Sequence, residues 1–273
     1  MLYGISTLIV QDENLESGLQ RIKNAGFNEI ELLWDVPHFN VNDDSTKIIL
    51  RFMNKLDLSM RVGHSPITDI DLASLDIRKR KASIAVIARS FTMFRELGAE
   101  SVVVHANGYS LNYREESRNV SVTKTKDSVL ELVDIASDVG IKIALENLPH
   151  RGTPRPFHSM EELKALIEDM PKEYVGLCLD TTHARFAGHD PLQQLNVASD
   201  RLFTLHLHDT DGDDDRHWVP GRGIIDWGAF IDRLSVLNFT GSRILEVQST
   251  LATMDSVLGA CFSVGENWES RYT

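Results

Sequence analysis

The sequence predicts an α/β fold, a single-domain (β/α)8 barrel, and three observations carry that expectation. Short apolar runs alternate with longer helical patterns along the whole chain, which is the signature of a parallel sheet built from βα units. Eight such units can be counted, and 273 residues suit one barrel of that kind. No GxGxxG-type phosphate fingerprint follows the first apolar run, which weighs against an open dinucleotide-binding sheet. No linker, low-complexity tract or close repeat interrupts the rhythm, so residues 1–273 are expected to form one domain.

Tyr3–Ile9 reads as the first strand and Leu15–Ala25 as a helix closed by Gly26. Glu29–Trp34 is the second strand, with a helix near Ser45–Leu56. Ser59–His64 is the third, followed by a long helix over Ile77–Leu97 that stops at Gly98. Ser101–His105 is the fourth; a loop and a helix near Val122–Val139 follow, ending at Gly140. Lys142–Glu146 and Met160–Asp169 make the fifth unit, and Val175–Asp180 and Pro191–Ala198 the sixth. Leu202–His208 is the seventh strand and Trp227–Leu237 its helix; Arg243–Val247 is the eighth, with a last helix within Leu251–Val264. Glycine after several helices fits a left-handed C-terminal cap.

Composition narrows the function classes. With 42% hydrophobic residues the chain can bury a sizeable core. A net charge of −12 argues against a generally basic, nucleic-acid-binding surface. Cys178 and Cys261 cannot make a disulfide framework, so a reducing cytoplasm is the simpler home, and Cys178 is expected in the core. The N-terminus lacks a basic region and cleavage site, and no stretch approaches a membrane span. Assembly into a homo-oligomer stays open.

In a barrel, chemistry sits at the C-terminal ends of the strands. Reading the residue at each end gives His64, His105, Glu146, Asp180, His206 and Glu246, six metal-ligand types in phase, one βα unit apart. Neighbouring strands lie about 4.8 Å apart, so these side chains can converge at the mouth. Glu146, Asp180 and Glu246 each end an apolar run, where a carboxylate needs a partner or a metal. His183 lies three residues past Asp180, close enough to join the site or touch a substrate. The stretch Leu202–Trp227 adds a strand end carrying His206, His208 and Asp209. An acidic loop follows, in which Asp215 and His217 are spaced to chelate, and then the turn Pro220-Gly221-Arg222-Gly223. Asp211, Asp213 and Asp214 read as solvent-facing charge. Trp34, Trp218 and Phe186 are candidate pocket walls, and Arg155, Arg216 or Arg222 could meet a phosphate.

These residues resemble the xylose isomerase-like TIM barrel superfamily, the group of sugar isomerases and epimerases and of endonuclease IV. The resemblance runs through VGHSPITDIDLAS, LGAESVVVHANG, IALENLPH, GLCLDTTHA and the Leu202–Trp227 stretch. The epimerase branch implies one divalent metal on Glu146, Asp180, His206 and Glu246. It also makes the two glutamates the groups that move a substrate proton and His183 a substrate contact. The endonuclease IV branch implies three zinc ions on His64, His105, Glu146, Asp180, His183, His206, Asp215, His217 and Glu246. The chain departs from the nucleases where His-Leu-Asn-Asp-Ser-Lys becomes His206-Leu-His-Asp-Thr-Asp, and where HSPIT lacks their Tyr.

The leading expectation is therefore a metal-dependent isomerase or epimerase acting on a small sugar or sugar phosphate. One to three zinc, manganese or cobalt ions would serve it, with Glu146 and Glu246 as acid and base and His183 on the substrate. An endonuclease IV-like phosphodiesterase with three zinc ions is the alternative, and a non-catalytic metal- or ligand-binding barrel the third reading. A nucleic-acid partner is not expected.

Overall fold

The structure, a computed structural model, describes residues 2–35, 43–107, 118–149, 156–249 and 252–271. Eight strands close into a barrel in sequence order. They are β1 (Gly4–Ser6), β2 (Glu29–Leu33), β3 (Ser59–His64), β4 (Ser101–His105), β5 (Lys142–Glu146), β6 (Val175–Asp180), β7 (Leu202–Leu207) and β8 (Ser242–Leu245). Every neighbouring pair is parallel, β1 with β8 included. The helices are α1 (Leu15–Asn24), α2 (Asp43–Leu56), α3 (Ile77–Glu96), α4 (Arg118–Val139), α5 (Met160–Leu166), α6 (Thr181–Phe186), α7 (Pro191–Ala198), α8 (Trp227–Val236) and α9 (Met254–Glu269). Among the described residues, no helix is long and apolar enough to cross a membrane.

Two buried layers make most of the core, with a small third cluster of Leu8 and Leu33. The larger joins strands to helices and includes Ile5, Phe27, Phe91, Phe94, Phe230 and Trp268. The smaller is Val62, Val103, Ala144, Cys178 and Ile244. Each of these five stands two residues before His64, His105, Glu146, Asp180 or Glu246, and strand residues two apart share a face. The five therefore form an apolar floor inside the barrel, and the polar residues form the layer above it. The stagger of the barrel shows in the register. His105 pairs directly with Glu146 and Asp180 with His206, whereas Glu146 pairs with Cys178, two residues short of Asp180.

Most elements fall where the sequence puts them, and the departures have local causes. The first strand ends at Ser6, because Thr7–Val10 turns into a 3-10 helix whose N-cap, Ser6 Oγ, accepts from the Leu8 amide at 3.4 Å. The eighth strand stops at Leu245, leaving Glu246 one residue beyond it. Helix α6 is unanticipated: six residues are too few to show a periodicity, and it forms because Asp180 Oδ1 caps the His183 amide at 2.8 Å. The last helix runs five residues further than read, to Glu269. Gly26, Gly98 and Gly140 do take positive φ after their helices.

Candidate metal centre

The packing ties the sequence-predicted ligands into several groups of possible donors, three of which take in all nine of them. His64, His105 and Glu146 form one, Glu146, Asp180, His206 and Glu246 the second, and His183, Asp215 and His217 the third; within each, donor atoms lie within 4.8 Å of one another. Glu146 belongs to the first two and bridges them. Its Oε2 accepts from His105 Nε2 at 2.8 Å and faces His64 Nε2 at 3.4 Å; its Oε1 faces His183 Nδ1 at 3.2 Å and His206 Nδ1 at 3.3 Å. Glu246 Oε2 meets the same His206 Nδ1 at 3.2 Å, with Asp180 Oδ2 3.9 Å away. Burial is nearly complete: His206 and Asp180 are 0% exposed and Glu146 1%.

The local chain explains why the rings stand as they do. His64, His183 and His217 each donate Nδ1–H to a backbone carbonyl: that of Ser65 at 2.9 Å, Asn147 at 2.9 Å and Glu246 at 2.8 Å. Such a bond fixes ring and tautomer and leaves Nε2 for the centre, these tautomers being assigned from the bonding partners. Asn147, next to Glu146, clamps the end of β6: its Oδ1 accepts from the Asp180 amide at 2.8 Å and its Nδ2 donates to the Asp180 carbonyl at 3.1 Å. His183 sits in the first turn of α6, with Nε2 3.1 Å from Asp215 Oδ2. Thr182 Oγ1 holds the other Asp215 oxygen at 2.7 Å, and His217 Nε2 lies 3.3 Å from Oδ2.

The electrostatics follow from burying acids among imidazoles. Burial works against a charged His64, yet its bond to Glu146 and the charges of Glu146 and Glu31 push its pKa up to about 9. Burial likewise opposes charge on His217, and Asp215 overrides it, again to about 9. Despite burial, His183 is raised well above the ordinary imidazole value by Asp180, Asp215 and Glu146, and His206 by Cys178, Glu31, Glu246 and Glu146, whereas burial lowers His105. Burial would raise Glu146, Asp215 and Glu246, but the imidazoles around them hold all three well below the carboxylate range. Protons on the rings thus balance buried negative charge. A divalent cation could take over that balance, and the mixed carboxylate and imidazole donor set fits one.

Two residues in contact with these donors were not in the sequence-predicted ligand set. His208 is fully buried, its Nε2 lies 2.6 Å from Asp180 Oδ2, and its ring stacks on His217 at 4.1 Å. Its signal was the period of two in His206-Leu207-His208, which puts both rings on one face. Glu31, on β2, is also fully buried, with Oε2 2.9 Å from His206 Nε2.

Other expected residues lie away from the donors. Asp209 faces the loop, where it accepts from the amides of Thr210 and Gly221 and from Trp227 Nε1. Asp211 and Asp214 hold Arg216, at 3.0 and 3.6 Å, while Asp213 is exposed. Trp218 lies beneath the guanidinium groups of Arg216 and Arg222, at 5.8 and 5.6 Å from its ring centre. Trp34 packs edge-on against Phe94, and Phe186 is half-buried at the end of α6. Arg155 falls outside the described residues.

Known proteins are similar to this chain in sequence or in fold. An uncharacterized protein of Methanocaldococcus jannaschii is 28% identical over 90% of this chain and 83% of its own length. A ketose 3-epimerase of Arthrobacter globiformis is 24% identical over 86% of this chain and 78% of its own. A probable endonuclease 4 of Mycoplasma mycoides subsp. mycoides is 26% identical over 70% of this chain and 69% of its own. Among solved structures, a D-tagatose 3-epimerase-like protein superposes with a TM-score of 0.87 at 25% identity, covering 100% of this chain and 98% of that one. An IOLI protein described with a binding zinc atom shares the fold, with a TM-score of 0.82 at 19% identity over 100% and 99% of the two chains. Residues 19–259 match the family described as xylose isomerase-like TIM barrel. With the eight-stranded closed barrel and its strand-end carboxylates and imidazoles, that match makes the chain a member of the xylose isomerase-like TIM barrel family.

Proposed function

We propose that this chain is a metal-dependent isomerase or epimerase acting on a sugar or sugar phosphate by proton transfer beside a carbonyl. The observation that carries the reading is the approach of Glu146 and Glu246, from β5 and from the end of β8, to the same nitrogen, His206 Nδ1, at 3.3 and 3.2 Å. Two carboxylates meeting at one point can serve one substrate carbon between them. The relatives named as a ketose 3-epimerase and a D-tagatose 3-epimerase-like protein support the same class. Glu146, Asp180, His206 and Glu246 would hold a divalent ion of the zinc, manganese or cobalt kind. When bound, such an ion supplies Lewis-acid polarisation of the substrate carbonyl, which acidifies the neighbouring C–H.

The chain's own groups do the rest. Neighbouring imidazoles keep Glu146 and Glu246 in the carboxylate form, so either can accept the proton from carbon. An epimerisation removes a proton on one face and delivers one on the other. The accepting glutamate takes the first proton and returns it to solvent, and its partner takes up a solvent proton and delivers that one to the opposite face. His183 and His217, locked through Nδ1, orient hydroxyls with Nε2 or bind further ions.

The test is turnover of a panel of ketoses and their phosphates in deuterated water by the metal-loaded protein. Deuterium is expected at the carbon beside the carbonyl, and Glu146→Gln or Glu246→Gln should each abolish turnover while leaving the fold intact. Full activity in both variants would remove the mechanism. One observation favours the second reading, phosphodiester hydrolysis: the His64–His105–Glu146 and His183–Asp215–His217 groups would allow two further ions beside the first. A net charge of −12 opposes it, because duplex binding draws on basic contacts to phosphate. An abasic-site duplex in the same panel should therefore stay uncut, and efficient cleavage would reverse the order of the two readings.

A further inference from the structure

Glu31 is a buried carboxylate that the proposed reaction does not use. It lies on β2 in register with Val62, at the level of the apolar floor, and is 0% exposed. Among the described residues its Oε1 has no hydrogen-bond partner, and its Oε2 lies 2.9 Å from His206 Nε2. A carboxylate in such a place is costly to bury, so its hydrogen bond to His206 should explain it. The other side of that ring is informative. His206 Nδ1 points at Glu146, Glu246 and Asp180, at 3.3, 3.2 and 3.9 Å. His64, His183 and His217 are tied by Nδ1 to backbone carbonyls. His206 is tied by its opposite nitrogen, and to a carboxylate, which is the stronger acceptor.

We propose that Glu31 is a positioning residue for the metal centre. It accepts the Nε2–H of His206, which fixes the ring with Nδ1 turned to the three carboxylates and makes Nδ1 the nitrogen offered to a divalent ion. A carboxylate behind a ligating imidazole orients the ring and raises its basicity, and losing such a partner typically costs about 10–100-fold in metal affinity. The inference rests on the metal centre proposed above, with His206 among its ligands. A plain structural role, pinning β2 to β7 across the barrel, would leave metal affinity and the choice of nitrogen unchanged.

The experiment uses the full chain with zinc as the probe. Affinity is measured by chelator competition for the unmodified protein, Glu31→Gln, His206→Ala and the double variant, with circular dichroism as the check on folding. Nitrogen-15 NMR of the zinc-loaded, unmodified protein reads which His206 nitrogen carries hydrogen. The expected results are a loss of about 10–100-fold in Glu31→Gln, little further loss when Glu31→Gln is added to His206→Ala, and a proton on Nε2 with zinc on Nδ1. Affinity within about twofold of the unmodified protein in Glu31→Gln, against the 10-fold expected, would overturn the role. So would an equal loss in the His206→Ala background, or zinc on Nε2. The NMR arm needs no variant, so it decides the matter even if Glu31→Gln misfolds. Absence of zinc binding by the unmodified protein would overturn the centre itself, a different result from intact binding that ignores Glu31.

Discussion

Asp209 illustrates how much a single buried side chain can organise. It is fully buried, and its carboxylate accepts from the amides of Thr210 and Gly221, each at 2.9 Å, from Trp227 Nε1 at 2.8 Å and from the Ile225 amide at 3.3 Å. Those bonds fasten both ends of the loop that carries Asp215 and His217. Asp209→Asn turns a donor toward N–H groups and leaves buried donors unmatched, so it should cost about 2–4 kcal/mol in chemical denaturation. It should also weaken binding of any ion held by the loop's ligands. A stability within experimental error of the unmodified protein would contradict this account. Residues differ in how far the sequence exposes them. Glu146, Asp180 and His206 were legible because each follows an apolar run. Glu31 was not, since Glu29-Ile30-Glu31-Leu32 reads as ordinary alternation with a solvent face; in this barrel the face carrying Glu31 points inward to a polar centre.

At the scale of elements, legibility tracked length and hydrophobic contrast. The bounds of β3, β4, β5, β6 and α7 match the reading, because polar or glycine residues interrupt the pattern sharply at their ends. The barrel's stagger was not legible, because it depends on strand tilt and closure, which no local pattern encodes. Helix α6 was hidden for another reason: Asp180-Thr181-Thr182-His183 reads as a ligand motif, and the same Asp180 is also the helix cap. Packing between elements yields a further prediction at Gly63. A β-carbon there would sit 2.3 Å from Phe94 Cδ1, inside a buried ring of α3 that itself packs on Trp34. Neither β3 nor that ring has room to yield, so Gly63→Ala should destabilise by about 1–3 kcal/mol in urea unfolding. Because His64 is the next residue, the same shift should weaken metal binding. Unchanged stability would mean that α3 moves away from the sheet more freely than its buried contacts suggest.

For the whole molecule, the proposed centre couples metal, protons and stability. In the metal-free protein burial opposes charge on His64 and His217, yet their carboxylate neighbours push both up from an ordinary value of 6.5 to about 9. A raised imidazole pKa stabilises the fold at pH below 6.5, and this stabilisation is lost as pH climbs through about 9. A further ion bound at His64 or His217, beside the one on Glu146, Asp180, His206 and Glu246, must displace the same protons, so binding releases them, and that release becomes easier as pH rises. The two effects act in one direction. Chelated protein weakens on the alkaline side while metal-bound protein, its charge balanced by the ion, does not lose those protons at all. The difference in Tm between metal-saturated and chelator-treated protein should therefore widen from pH 6.5 to about 9 and then level off. Paired thermal scans across that range check it, with ion concentration held constant. A gap that stays constant or narrows would mean that the rings bind no ion, or carry no protons for it to displace.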